Sequence, residues 1–327
     1  MKCRYLAVVA AALLTTPALG AAITTDAFDQ LQQNVWYLKT ADKAADIYVT
    51  SVGNGSPVVF LHGGPGNDFN YFIDALKPHT SKYKFIVFDQ RGSLLSPVPD
   101  AKVKDLTLQQ LVDDLETLRI ATGQDKLVLL GHSFGTYLAL SYYIQHPDHV
   151  AGLVLAGSFA PSGKLQDAIK AMRPRQAALT ARPEVAAEVR AENLPADPAQ
   201  DTPEQSSMRW RITRFAPIDV VHIDRWRQVQ GGNVYYKEAV DDAIGDSMPA
   251  DMNILTALKA HPIPITIIQG DQDYLDPSAS AWSAIAPRAP SVQVKVLPQA
   301  GHYGWVDAPD EFSKDLDDGL RRATAAR

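Results

Sequence analysis

The chain has 327 residues, 46% of them hydrophobic and 21% charged, with one cysteine and a formal charge of −6. That balance is ordinary for a globular protein and excludes a collagen-like, coiled-coil or disordered chain. Lys and Arg number 31 against 37 Asp and Glu, with no basic block, so there is no stripe to track phosphates and no nucleic-acid partner is expected.

The first twenty residues read as an export leader. Lys2 and Arg4 precede an unbroken apolar run from Leu6 to Leu14, followed by Pro17 and by Ala18-Leu19-Gly20, small at its outer positions. A basic start, an apolar centre and a small-residue cleavage site are the three parts of a signal peptide. The run is about half of the ~20 residues a bilayer span needs, and no later stretch is long enough, so no membrane span is expected in the mature chain. Cleavage after Gly20 or Ala22 would remove Cys3. The exported protein, periplasmic or extracellular, would then carry no disulfide framework.

Residues 21–45 read as a helical or irregular lead-in. Ile47–Val52 is strand-like and ends in the turn Gly53-Asn54-Gly55. Pro57–Leu61, Phe85–Phe88, Lys126–Leu130 and Val150–Leu155 are short apolar runs, the mark of strands covered on both faces. Leu108, Leu111, Leu115 and Leu118 follow helical spacing behind Thr107 as N-cap, and Phe134–Gln145 also reads as a helix. Strands alternating with helices predict an α/β fold with a mainly parallel sheet and helices on both faces. Residues 162–258 lack buried strand runs; they are rich in Ala, Arg and Glu, carry five prolines between Pro174 and Pro203, and hold Trp210, Trp226, Tyr235 and Tyr236. This stretch is expected to be a helical cap inserted into the fold. Strands resume at Ile263–Gln269 and Val292–Leu297, and a last helix covers about 309–323. The expected organisation is a leader at 1–20, one core domain built from 21–161 and 259–327, and the cap at 162–258.

The chemistry centres on Gly131-His132-Ser133-Phe134-Gly135, a G-x-S-x-G sequence between an apolar strand and a helix. At such a turn the small flanking residues let the chain approach itself while the serine hydroxyl projects. His62-Gly63-Gly64-Pro65-Gly66 follows the Pro57–Leu61 strand. Its freed amides, Gly64 first, together with that of Phe134, suit an oxyanion hole, and Gly63 is expected to line the substrate site. A serine nucleophile needs a base and the base an orienter, in the chain order serine, acid, histidine. Among eight histidines, His302 follows the Val292–Leu297 strand in Gln299-Ala300-Gly301-His302 and is the expected base. His62 and His132 are expected to act as local hydrogen-bonding groups. Asp273, in Gly270-Asp271-Gln272-Asp273, is the favoured acid, with Asp271 the alternative. No metal or other cofactor is implied.

The set His62–Gly66, Asp89-Gln90-Arg91-Gly92-Ser93, Gly131–Gly135, Gly270–Asp273 and Gly301-His302 resembles the proline iminopeptidase family of α/β-hydrolases, over about residues 45–320. The resemblance implies an α/β-hydrolase core with an inserted helical cap, and release of an N-terminal residue, proline first, from a peptide. It also implies a cap that reads the substrate's free amine with acidic residues. The chain departs from the family there. After Arg91-Gly92 it lacks the family's cysteine and second arginine. The Trp-Glu pair would fall near Phe215-Ala216, and the glutamate ahead of the Tyr235-Tyr236 aromatics near Gly232, yet neither glutamate is present. A buried cation still needs a carboxylate, and Glu204, Glu238, Asp241 and Asp242 are candidates, with Trp210, Tyr235 and Tyr236 as cap aromatics. Two further readings stay open: an esterase, lactonase or amidase acting on a small acyl compound, and a non-catalytic binding protein on the same fold.

Overall fold

In a computed structural model, residues 27–229 and 235–327 are described; the expected leader and Gly232 lie outside them. Eight strands form one sheet: β1 (Trp36–Lys39), β2 (Asp46–Gly53), β3 (Ser56–Leu61), β4 (Tyr83–Phe88), β5 (Leu127–His132), β6 (Val150–Ala156), β9 (Ile265–Gly270) and β10 (Val292–Leu297). Their spatial order is β1-β2-β4-β3-β5-β6-β9-β10. β1 and β2 pair antiparallel, as do β2 and β4; every other pair is parallel.

The sequence explains the order of layers. Every residue of β5, β6 and β9 is buried, as strands covered on both faces require. At the sheet edge, Val292–Leu297 alternates apolar residues with Gln293 and Lys295, and its middle is partly exposed. The helix Leu108–Ala121 starts on a capping box in which Thr107 and Gln110 satisfy each other's backbone, and it buries Leu111, Val112, Leu115 and Leu118. Phe134–Gln145 and Pro309–Thr324 are the helices expected at those places.

Between β6 and β9 the chain is mainly helical, with Leu165–Thr180, Pro183–Ala191, Pro203–Trp210 and Glu238–Ser247 the longest pieces. Three strands lie outside the sequence expectation. β1 occupies part of the lead-in, and two three-residue strands, β7 (Ser162–Lys164) and β8 (Asp251–Asn253), pair antiparallel where this segment leaves and rejoins the sheet. Both are too short, too polar and too exposed to carry an apolar signature.

The Asp89–Ser93 turn is held by charge. The Asp89 carboxylate accepts from the amides of Phe69 (3.1 Å) and Leu95 (2.7 Å). Arg91 is buried and donates two bonds to the equally buried Asp114, at 2.9 and 2.7 Å, and further bonds to Asp42. Removing one member of a buried pair strands the other's charge. Arg91→Ala should therefore lower unfolding stability by about 3–5 kcal/mol in denaturant titration; a loss of about 0.5 kcal/mol or less, typical of an exposed pair, would contradict a structural role for the turn.

Candidate active site

In an open α/β sheet the crevice lies outside the carboxyl ends of the strands, where successive connections leave to opposite sides. Here that point is β3, flanked by β4 on one side and β5 on the other. The loops leaving β3 and β5 carry His62–Gly66 and Ser133. Ser133 sits with φ 53° and ψ −124°, a conformation an L-residue adopts only when its surroundings force it. Close approach does the forcing. A Cβ on Gly135 would lie 2.0 Å from the Leu61 carbonyl oxygen, and one on Gly63 would lie 2.9 Å from the Ser133 Cβ. The serine side chain consequently stands at the head of the Phe134–Gln145 helix, half-buried and facing the β3 loop.

His302 arrives on the loop after β10. Its Nδ1 lies 2.9 Å from Asp273 Oδ2, and both side chains are buried. The other Asp273 oxygen accepts from the Leu275 amide at 2.9 Å. Asp271 is turned elsewhere and accepts from the Ala300 amide at 3.2 Å. Burial works against a charged His302, yet the charge and hydrogen bond of Asp273, reinforced by Asp219, outweigh it and hold the imidazole above its ordinary value of 6.5. His302 Nε2 is buried and has no hydrogen-bond partner among the described residues.

Two further histidines tie the loops together. His62 links the first glycine loop to the Asp89–Ser93 turn: the Gln90 amide donates to its Nε2 at 2.9 Å, and Gln90 Nε2 donates to its carbonyl at 2.8 Å. Burial pushes its imidazole down to about 4. His132 Nδ1 lies 2.7 Å from the Tyr71 hydroxyl, and its Nε2 3.2 Å from the His302 carbonyl. That hydroxyl in turn accepts from the Gly63 amide at 2.7 Å. A continuous chain of hydrogen bonds so connects the β3 loop, the elbow and the His302 loop. It also occupies the Gly63 amide and leaves Gly64 as the next donor of that loop.

Ser133, Phe134, Gly63, Gly64 and His302 all line one cavity of about 780 Å³, roofed by the segment between β6 and β9. Trp210 and Tyr236 stand on its wall as expected, with Asp241 and Asp242; Asp241 accepts from the Tyr236 hydroxyl at 2.8 Å. Three expected residues are not on the wall. Glu238 is exposed in the first turn of its helix, one turn before Asp241 and beyond the cavity's edge; Tyr235 lies outside it; and exposed Glu204 bonds to Thr202 in a helix cap.

The sequence reading missed Asp219. It ends the short helix Ala216–Asp219, lines the cavity and is buried, and its Oδ2 has no hydrogen-bond partner among the described residues. Burial first, then the charges of Asp273 and Asp307, push its carboxyl up to about 8, against the opposing pull of His302. An acid is therefore present three residues beyond Ala216, where a glutamate was sought. Asn67 Oδ1 is a third buried, unpartnered polar atom on the wall. Buried polar atoms are usually paired; three of the seven unpartnered ones among the described residues face this one cavity, which gives it a wall able to bind a polar ligand.

Comparison with known proteins gives the family. A family model for the α/β hydrolase fold matches residues 56–309. A proline iminopeptidase of Neisseria meningitidis serogroup A is 30% identical over 303 residues, covering 83% of this chain and 92% of the relative. One from Xanthomonas citri is 29% identical over 313 residues, covering 88% and 94%. Among solved structures, a proline iminopeptidase-related protein from Thermus thermophilus superposes with a TM-score of 0.66 at 21% identity, covering 90% of this chain and 99% of that one. A thermophilic esterase from Thermogutta terrifontis gives 0.59 at 23%, covering 89% and 99%. The fold is thus shared with an esterase as well, and the sequence match over more than four fifths of the chain gives the family: the chain belongs to the proline iminopeptidase family of α/β-hydrolases.

Proposed function

We propose that the protein is an exported serine aminopeptidase that releases the N-terminal residue, proline first, from short peptides. The observation that carries the reading is His302 Nε2, buried and unpartnered on the wall it shares with Ser133, with Asp273 2.9 Å behind it on Nδ1. Ser133 Oγ attacks the acyl carbon and gives its proton to His302. Asp273 fixes the tautomer and stabilises the imidazolium, and the Phe134 and Gly64 amides receive the oxyanion. His302 then protonates the leaving amine, and water hydrolyses the acyl-enzyme by the reverse path. The helical segment at 162–258 acts as lid and selectivity filter. The basic, apolar and small-residue parts of the first twenty residues support export.

Asp219 is the group we assign to the substrate's amine. A buried ammonium needs a carboxylate partner; this carboxyl lies on the same wall with an oxygen to spare. Although burial holds its pKa at about 8, the incoming positive charge favours its ionised form, the proton leaving to solvent. The small-acyl esterase or amidase remains the second reading. It is favoured by the missing glutamates and by Ser93-Leu94-Leu95 where the family has its cysteine and second arginine.

Rates on a prolyl aryl amide, its N-acetylated form and a short-chain aryl ester separate the two. The aminopeptidase should prefer the free amine by about thirtyfold or more, the scale of losing a buried charge pair. Indifference to the amine with fast ester hydrolysis would make the esterase the correct reading. The acid limb of kcat/KM should lie above pH 6.5, since His302 must be neutral to act as base and its pKa is raised; a limb at or below 6.5 would remove Asp273 as its partner. Asp219→Asn should raise KM for the prolyl amide. It should also stabilise the fold at high pH. The folded pKa of Asp219, about 8, exceeds its ordinary 3.8, so its contribution to stability is intact below 3.8 and is lost as pH rises through 8. The variant's Tm advantage should be largest near pH 8–9 and vanish near pH 4; equal Tm values across that range would show that the carboxyl is not buried.

A further inference from the structure

We propose that Arg173 and Arg214 form a carboxylate subsite at the rim of the cavity, so that the substrate is a short peptide with a free C-terminus as well as a free N-terminus. This rests on the aminopeptidase reading and adds a second recognition element on the leaving-group side. Gln166, Ile169, Met172, Arg173 and Gln176 line the cavity, at helical intervals that make one face of Leu165–Thr180 its roof over three turns. Arg214 and Phe215 come from the wide π-turn Arg211–Phe215, which continues the helix ahead of Asp219 and carries both side chains onto the wall. π-turns inside helices are uncommon and cluster at functional sites.

Neither Arg173 nor Arg214 has a hydrogen-bond or ion-pair partner among the described residues, and both are exposed. Most arginines of this segment are engaged. Arg175 donates to the carbonyls of Tyr274 and Leu275, Arg182 to those of Pro217, Val220 and Val221, and Arg225 to those of Val306 and Asp307. Arg209 pairs with Asp201, and Arg227 with Glu188. Arg190 also lacks a partner but is not on the cavity wall.

The opposite sign occupies another wall. Asp241, Asp242 and Asp246 line the cavity from the Glu238–Ser247 helix, and none pairs with Arg173 or Arg214 within the 4.0 Å of an ion pair. A cavity that keeps acids and bases apart and unpaired is complementary to a ligand carrying both charges. Guanidinium presents a planar fork matched to a carboxylate. A volume of about 780 Å³ suits a ligand of a few residues. A longer peptide would carry its terminal carboxylate past the rim.

The test compares prolyl-alanine, prolyl-alanine amide and prolyl-glutamate amide, with a prolyl aryl amide run in parallel, on the wild type and on an Arg173→Gln/Arg214→Gln double variant. The wild type should favour the free acid over prolyl-alanine amide by about five- to tenfold in kcat/KM, chiefly through KM, the scale of two exposed ion pairs. The double variant should bring that ratio near one. Prolyl-glutamate amide, with its carboxylate on a side chain, should behave like the alanine amide; if it matches the free acid, the subsite reads an acidic side chain and the C-terminal assignment is wrong. Equal rates on acid and amide in the wild type, or an unchanged ratio in the double variant, would overturn the subsite while cleavage of the aryl amide leaves the aminopeptidase standing. If no free-amine substrate is cleaved, the aminopeptidase reading fails and the subsite fails with it.

Discussion

The site depends on one strained residue. Ser133 holds φ 53° and ψ −124°, a backbone state that costs about 1–3 kcal/mol and persists only where neighbouring structure dictates it. Here the neighbours are the Leu61 carbonyl, close enough to exclude any side chain at position 135, and the Gly63 backbone packed against the serine Cβ. Behind them lie β5, β6 and β9, whose apolar residues are almost entirely out of water. Burial of that size, at ~25 cal/mol per Å², readily offsets one strained turn. The sheet thus supplies the energy, the two glycines supply the space, and the result is a hydroxyl that cannot retreat into the helix it begins.

The same economy governs the roof. The helical segment is attached to the loops that hold Asp273 and His302 by bonds that satisfy both partners. One Asp307 carboxylate accepts from the amides of Gly301, Val221 and His222, at 2.9, 2.9 and 3.2 Å. The Tyr303 amide donates to the Asp219 carbonyl at 2.7 Å, and Arg175 reaches the carbonyls of Tyr274 and Leu275. A change in the roof is therefore felt at the imidazole, and the position of Asp219 is set by the loop carrying His302. These few backbone bonds join the roof directly to the loops that carry Asp273 and His302.

Much of this was legible in the amino-acid order, for physical reasons. Strands covered on both faces must be continuously apolar, which is why 57–61, 126–130 and 150–155 stand out in the chain, while the edge strand at 292–297 shows instead as an alternation of apolar and polar residues. The turn after a buried strand must contain small residues if a side chain is to project, which exposes Ser133 and the glycine loop at 62–66. The place after β9 offered both Asp271 and Asp273, and it is Asp273 that the fold sets against His302. What could not be read were features with no periodic signature. β1, β7 and β8 are short and partly polar. Asp219 escaped because a five-residue π-turn and a four-residue helix set which side chains face inward, so the acid stands three positions from where a motif placed it. Glu238 looked equivalent to Asp241, one helical turn away, but that turn separates solvent from the cavity. Arg173 and Arg214 carry no motif, and only the fold places them on the cavity wall.

The central claim is that this turn makes one serine, out of all those in the chain, a nucleophile. Treatment of the folded protein with a fluorophosphonate, followed by peptide mass spectrometry, tests it directly. The expected result is a single adduct on Ser133, formed rapidly near neutral pH and absent from Ser133→Ala. An adduct on another residue, labelling that survives Ser133→Ala, or no labelling of protein shown by circular dichroism to be folded, would contradict it.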